Sequence, residues 1–121
     1  MSKPILVIGE ALIDAVSDGV SPTREHVGGS PANVAFGLAA LDHDVQLATD
    51  IGADEHGYAI LEACRRHGVS VLEGSVGDRP TSVAHARLDT SGGATYVFEI
   101  AWEPPAVPDP TAYGHVHTRS I

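Results

Sequence analysis

The chain has 121 residues, of which 43% are hydrophobic and 19% charged, and its formal net charge is −9. That balance fits one small globular domain, or part of a larger one, with enough apolar residues for a core. Seven Lys and Arg residues are scattered, with only Arg65 and Arg66 adjacent, which argues against nucleic acid or an anionic membrane surface as a partner. The single cysteine, Cys64, cannot form an internal disulfide, in keeping with a reducing compartment. The apolar run at 5–8 is too short for a signal peptide or a membrane span, so the cytoplasm is the expected location.

In chain order, Ile5-Leu6-Val7-Ile8-Gly9 is a β-branched, wholly apolar run ending in glycine, the pattern of a buried parallel strand. Residues 10–16 continue extended, with Glu10 and Asp14 placed around an apolar patch. Residues 17–22 carry turn chemistry, and residues 23–27 read as a short return strand. Gly28-Gly29 then makes a tight turn that leaves room for a ligand to approach the backbone. A helix is expected over 30–41, with Ser30 as its cap and Pro31 at its first position. Val34, Leu38 and Leu41 share one face, and the alanines between them allow close approach to a sheet. Asn33 falls in the first turn, near the positive end of the helix dipole, with a donor and an acceptor on one side chain.

A second strand is expected over 45–49. A second helix follows over 55–67, capped by Asp54, with Tyr58, Ile60, Leu61 and Cys64 apolar and Gly68 as terminator. A third strand covers 69–72. Strand–helix–strand–helix–strand is the order of a parallel sheet with right-handed crossovers. The texture then changes to alternation. Residues 82–88 and 94–100 form a hairpin around the turn at 89–93, with Tyr96, Phe98 and Ile100 on one face. The hairpin is expected to pair with the extended segments near 11–16 and 23–27. Residues 103–110 form a stiff proline-rich linker, and a new strand begins at 115–118.

Neither a G-x-G-x-x-G turn nor a G-x-x-x-x-G-K-[ST] loop occurs in the sequence. Those two devices for holding nucleotide phosphates are therefore missing. No His or Cys cluster has zinc spacing; His115 and His117 share a strand face, for which a half-exposed strand is the plainer account than a metal pair. Cys64, with no base nearby in the pattern, reads as packing. Two accounts stay open for Asp14: a solvated loop acid, or a carboxylate that accepts from two neighbouring sugar hydroxyls. The Gly-Gly turn is equally open between a plain capped turn and a grip on a hydroxylated or anionic small molecule.

Three segments taken together narrow these choices. Gly9-Glu10-Ala11-Leu12-Ile13-Asp14, then Gly28-Gly29-Ser30-Pro31-Ala32-Asn33-Val34-Ala35, then Ile51-Gly52-Ala53-Asp54-Glu55-His56-Gly57 resemble the N-terminal half of the ribokinase-like carbohydrate kinases, in wording nearest the fructokinase-like branch. The resemblance runs over essentially the whole chain. It implies an α/β fold: a parallel sheet with flanking helices plus a small antiparallel lid sheet. Residues 1–121 would be the N-terminal part of one sugar kinase domain, with lid segments at about 11–27 and 82–100. By position, the resemblance implies that Asp14, Gly29 and Asn33 bind sugar hydroxyls, that Gly28 shapes the turn, and that Ala84 and Phe98 line the lid. It also implies a homodimer through the lid. Asp42 departs from the small residue usual after the first helix.

The resemblance further implies ATP and Mg2+ as cofactors of a full-length enzyme. Its anion hole and catalytic aspartate lie in a D-T-x-G-A-G-D segment, which does not occur in these 121 residues. Losing a single donor of such a hole costs roughly 10²–10³ in rate. The chain is therefore read as the sugar-side portion of a longer kinase, with no catalytic, cofactor-binding or metal residue of its own and no activity alone. The alternatives are a non-catalytic sugar-binding or dimerisation module, and a nucleoside kinase fragment.

Overall fold

The first strand, β1 (Ile5–Ile8), is apolar on both faces because both faces are covered. The structure, a computed structural model, describes residues 3–103, 105–107 and 109–118. The remaining elements are β2 (Leu12–Ser17), β3 (Arg24–Gly28), α1 (Ser30–Ala40), β4 (Val45–Ala48), β5 (Ile51–Gly52), α2 (Glu55–His67), β6 (Val69–Val71), β7 (Val76–Gly77), β8 (Val83–Leu88), β9 (Ala94–Glu99) and β10 (His115–Thr118). A turn of 3-10 helix at Pro110–Ala112 precedes the last strand.

The main sheet has the order β10-β1-β4-β6, and each of its pairings is parallel. Val7, Val45, Leu47 and Val69 project to one face, where they pack with Ala32 and Ala35 of α1 and Ile60 and Cys64 of α2. Alanines at the contact let α1 lie close to the sheet. The other face carries Leu6 and Ala48 under Tyr113, whose hydroxyl donates to Gln46 Oε1 at 2.7 Å. Cys64 is fully buried, and burial pushes its thiol up to about 11.

The second sheet has the order β3-β2-β8-β9. Its two hairpins, β2 with β3 and β8 with β9, are antiparallel as expected. They meet along a parallel seam, Ile13 opposite Val83 through Ser17 opposite Arg87. Ile13, Ala15 and Val83 join the helix-side core, so this sheet packs on the same helices as the first. A short parallel pair, β5 with β7, is absent from the sequence reading.

Several local expectations need correction. Gly29, not Ser30, is the N-cap of α1, with no side-chain cap; Ser30 is already helical and Pro31 follows it. Leu41 is 71% exposed and does not belong to the apolar face assigned to it, and Tyr58, counted among the apolar residues of the second helix, is 57% exposed. Pro31, Ala32 and Ala35 are the buried positions of α1, and the two alanines let the helix lie close to the sheet. Asp42 is the one non-glycine residue at positive φ (66°) among the described residues. Its N–H donates to the Ala39 carbonyl, and that of His43 to the Leu38 carbonyl. It occupies the left-handed position that usually favours glycine.

The α2 start was legible and is tightly tied. Asp54 Oδ1 accepts from the Gly57 N–H at 2.7 Å and the Thr81 hydroxyl at 2.6 Å, while Oδ2 accepts from the Thr81 N–H at 3.0 Å. These donors, the Thr81 hydroxyl foremost, hold the Asp54 carboxyl below its ordinary range. A depressed folded-state pKa gives stability that is present above the unfolded value and lost as pH falls through the folded one. Asp54→Ala is expected to cost about 2 kcal/mol at neutral pH and to remove part of the acid-induced loss below about pH 4, as read by urea unfolding at a series of pH values. Asp42→Gly should raise stability by about 0.5–1 kcal/mol in the same measurement, because it relieves the left-handed backbone of a residue with a Cβ.

Candidate functional site

The paired glycines end β3 and open α1, and each is required by something packed against it. Gly28 lies opposite Leu12 in β2. A Cβ at Gly28 would collide with Oδ2 of Asp14, two residues further along β2. The carboxylate therefore lies over the Gly28 backbone. Gly29 has φ 97°, and a Cβ there would meet the Glu10 carbonyl oxygen at 2.7 Å. The chain from 28 to 29 thus packs on the segment that joins β1 to β2. Its carbonyl at Gly29 accepts from the Asn33 N–H at 3.0 Å and starts the helix.

Register then places the remaining residues. His26, Asp14, Ala84 and Phe98 are successive cross-strand neighbours over β3, β2, β8 and β9. Residues opposite one another in a sheet project to the same side, so these four form one row. That side is opposite to the one carrying Ile13, Ala15 and Val83 into the core. Tyr96 lies in the adjoining row, and its ring stacks with that of Phe98, centroids 6.2 Å apart and planes 12° apart. The row therefore grades from an acid to a small residue to aromatic faces. Such a surface accepts hydroxyl protons at one end and packs against C–H groups at the other.

Asn33 is exposed on the first turn of α1. It lines an open groove of about 590 Å3 with His26, Val27, Phe36 and His67; Asp14 is not among the residues lining it. The structure thus brings Asp14, Ala84 and Phe98 into one row, with Gly28 against the Asp14 carboxylate and Gly29 beside it, and leaves Asn33 in a separate groove that Asp14 does not line. The sequence reading passed over His26. Its signal was its place two residues before the Gly-Gly turn, in a strand expected to pair with the one bearing Asp14.

A second group of polar residues, also passed over, joins the two sheets at the carboxyl end of the parallel strands. The Ala11 N–H donates to Thr49 Oγ1, and the Thr49 N–H to Ser75 Oγ, each at 3.1 Å in buried surroundings. Asp50 Oδ2 accepts from Arg79 Nε at 2.8 Å and from the Glu103 N–H at 2.9 Å. Ser82 Oγ accepts from the Ala101 N–H at 3.1 Å. The signal in the sequence is Thr49-Asp50 directly after an apolar strand, a polar pair where the core is still continuous. Where the second sheet meets α2, His56 Nε2 approaches Glu25 Oε2 of β3 at 2.5 Å.

Among the described residues, no three His, Cys, Asp or Glu side chains come together as a metal site. Nor is any helix there long and apolar enough to cross a membrane.

This architecture is similar to that of known proteins. The model of the pfkB family carbohydrate kinases matches residues 2–103. A fructokinase of Klebsiella pneumoniae is 31% identical over 102 residues, 83% of this chain and 33% of that protein. A fructokinase of Salmonella typhimurium is 28% identical over 101 residues, with the same coverage. Among solved structures, a Xylella fastidiosa fructokinase with bound ATP superposes with a TM-score of 0.70 at 29% identity, over 83% of this chain and 34% of that one. A carbohydrate kinase from Agrobacterium tumefaciens gives 0.70 at 30% identity, over 80% and 35%. The chain spans about a third of the length of the curated relatives it matches. With its three motifs, its two sheets and a family match over residues 2–103, the chain belongs to the pfkB family of carbohydrate kinases.

Proposed function

We propose that this chain is the sugar-binding portion of an ATP-dependent carbohydrate kinase of the fructokinase or ribokinase type. The observation that carries this reading is the Asp14 carboxylate, seated on the Gly28 backbone and aligned with Ala84 and Phe98. A carboxylate accepts from two hydroxyls at once, and vicinal hydroxyls are what a sugar offers. Asn33 and the first amides of α1 supply donors, at the positive end of a helix with no acidic residue in its first turn. The rings of Phe98 and Tyr96 supply an apolar cover, and the second sheet acts as the lid. Phe98 is 58% exposed, and β9 has an open outer edge. Both features support pairing of two lids in a homodimer.

ATP and Mg2+ are a different matter. The D-T-x-G-A-G-D segment that the resemblance assigns to phosphate handling does not occur in the sequence, so this reading assigns no residue here to ATP or Mg2+. The chemistry carried here is recognition of a polyol, and residues 1–121 form one part of a kinase domain whose phosphate-handling groups lie elsewhere in the family's sequence. Nothing in Asp14 or Asn33 separates a free sugar from the ribose of a nucleoside, so both belong in the test.

Calorimetric titration of the purified chain with fructose, ribose and a nucleoside decides the matter. Binding of at least one is expected, with Asp14→Ala weakening it by about ten-fold or more. Unchanged affinity in that variant, or no binding at all, contradicts the proposal. An ATP-coupled assay on the same samples should show no turnover.

A further inference from the structure

Little side-chain packing holds the outer hairpin of the second sheet, β8 with β9, to the rest of the molecule. Every residue of β9 is exposed, and in β8 only Val83 and Ala84 are buried. Pairing with β2 fixes one edge of β8. The other restraints are gathered at the two roots of the hairpin, residues 79–82 before β8 and 100–103 after β9. A segment with so few buried contacts is where a fold opens first, so its roots decide how firmly it is held.

Three side chains tether the roots, and they differ in reach. Ser82 Oγ accepts from the Ala101 N–H, which ties the roots to each other. Asp54 accepts from the N–H and the hydroxyl of Thr81, which ties the incoming root to the start of α2. Of the three, Asp50 alone ties both roots to the main sheet. Its Oδ2 accepts from Arg79 Nε of the incoming root at 2.8 Å and from the Glu103 N–H of the outgoing root at 2.9 Å. Asp50 lies just past the end of β4, and its side chain is 8% exposed. Arg79 Nη2 also reaches Glu103 Oε2 at 3.1 Å, so one guanidinium bridges two carboxylates and closes the triangle. A guanidinium bond to a carboxylate shielded from water is among the stronger hydrogen bonds a protein makes.

We propose that Asp50 is a positioning residue: through Arg79 and the Glu103 N–H it fixes the outer hairpin, and with it Ala84 and Phe98, against the end of the main sheet. The binding role of Ala84 and Phe98 rests on the sugar-binding reading above; the clamp itself does not. Asp50 acts by denying both roots the freedom to swing together. Arg79 is the releasable arm, since its side chain is 46% exposed while that of Asp50 is enclosed. Two substitutions separate the parts. Asp50→Asn keeps an acceptor for the Glu103 N–H and removes the charge that Arg79 answers. Arg79→Gln removes the charge from the other side and leaves Asp50 bonded to the outgoing root.

Hydrogen exchange read by mass spectrometry compares the wild-type chain, Asp50→Asn, Arg79→Gln and the double variant. Each single substitution is expected to speed exchange over 83–99 by about ten-fold or more, while 45–48 and 55–67 keep their wild-type rates. The double variant should be no faster than the faster single one, because both substitutions remove the same bond. Trp102, the sole tryptophan, lies between the tethered residues Ala101 and Glu103, so its emission should shift in the same variants. An unchanged hairpin, additive effects, or equal acceleration through the whole chain overturns the clamp. If Asp50→Asn does not fold, Arg79→Gln decides alone. Calorimetry with fructose and ribose then reads the positioning role, with affinity expected to fall about three-fold or more in Arg79→Gln. Wild-type affinity beside a loosened hairpin overturns that role and leaves the sugar-binding reading standing. Absence of binding to the wild-type chain overturns the sugar-binding reading and the positioning role with it, while exchange still judges the clamp.

Discussion

The arrangement of this molecule depends on a contact that only glycine permits. Asp14 belongs to β2, and its carboxylate fills the space where residue 28 of β3 would carry a Cβ. One residue on, the backbone of Gly29 rests on the Glu10 carbonyl at a positive φ. The two contacts differ in what they protect. At Gly29 the obstacle is backbone, so the position holds the fold. At Gly28 the obstacle is the end of a side chain, so the position holds the acid where it is. An acid on a strand is thus seated in the space its glycine neighbour leaves free.

The second constraint is that two sheets share one pair of helices. The main sheet contributes Val7, Val45 and Leu47 to that core, and the second contributes Ile13, Ala15 and Val83. Where they diverge, apolar packing gives way to short polar side chains. Thr49, Ser75, Ser82 and Asp50 bond backbone groups that strand pairing leaves free, as buried N–H groups require.

Much of this was legible in the sequence, for identifiable reasons. The run Ile5 to Ile8 could only be a strand covered on both faces. Asp54 and Gly68 bracketed α2, since a cap and a left-handed terminator are local signals. Alternation in 82–88 and 94–100 gave the hairpin, and the resemblance alone put Ala84 and Phe98 in the lid. Long-range geometry was not available in that way. The parallel seam between β2 and β8, and the place of His26 beside Asp14, follow from register, which no local pattern encodes. Helix periodicity misassigned Leu41, because α1 ends at Ala40 and Leu41 is its exposed C-cap. The polar seam was missed because Thr and Ser beside a strand read equally well as turn residues.

The central claim is that the bare Gly28 backbone sets the Asp14 carboxylate for hydroxyls. Gly28→Ala tests it most directly, because φ at this position is not in the left-handed region and the added methyl would collide with the movable Asp14 carboxylate while meeting Leu12 only at ordinary contact distance. Circular dichroism and the melting temperature should change little, while calorimetric affinity for the sugar falls about ten-fold or more. A folded Gly28→Ala chain that binds sugar with wild-type affinity would contradict the account.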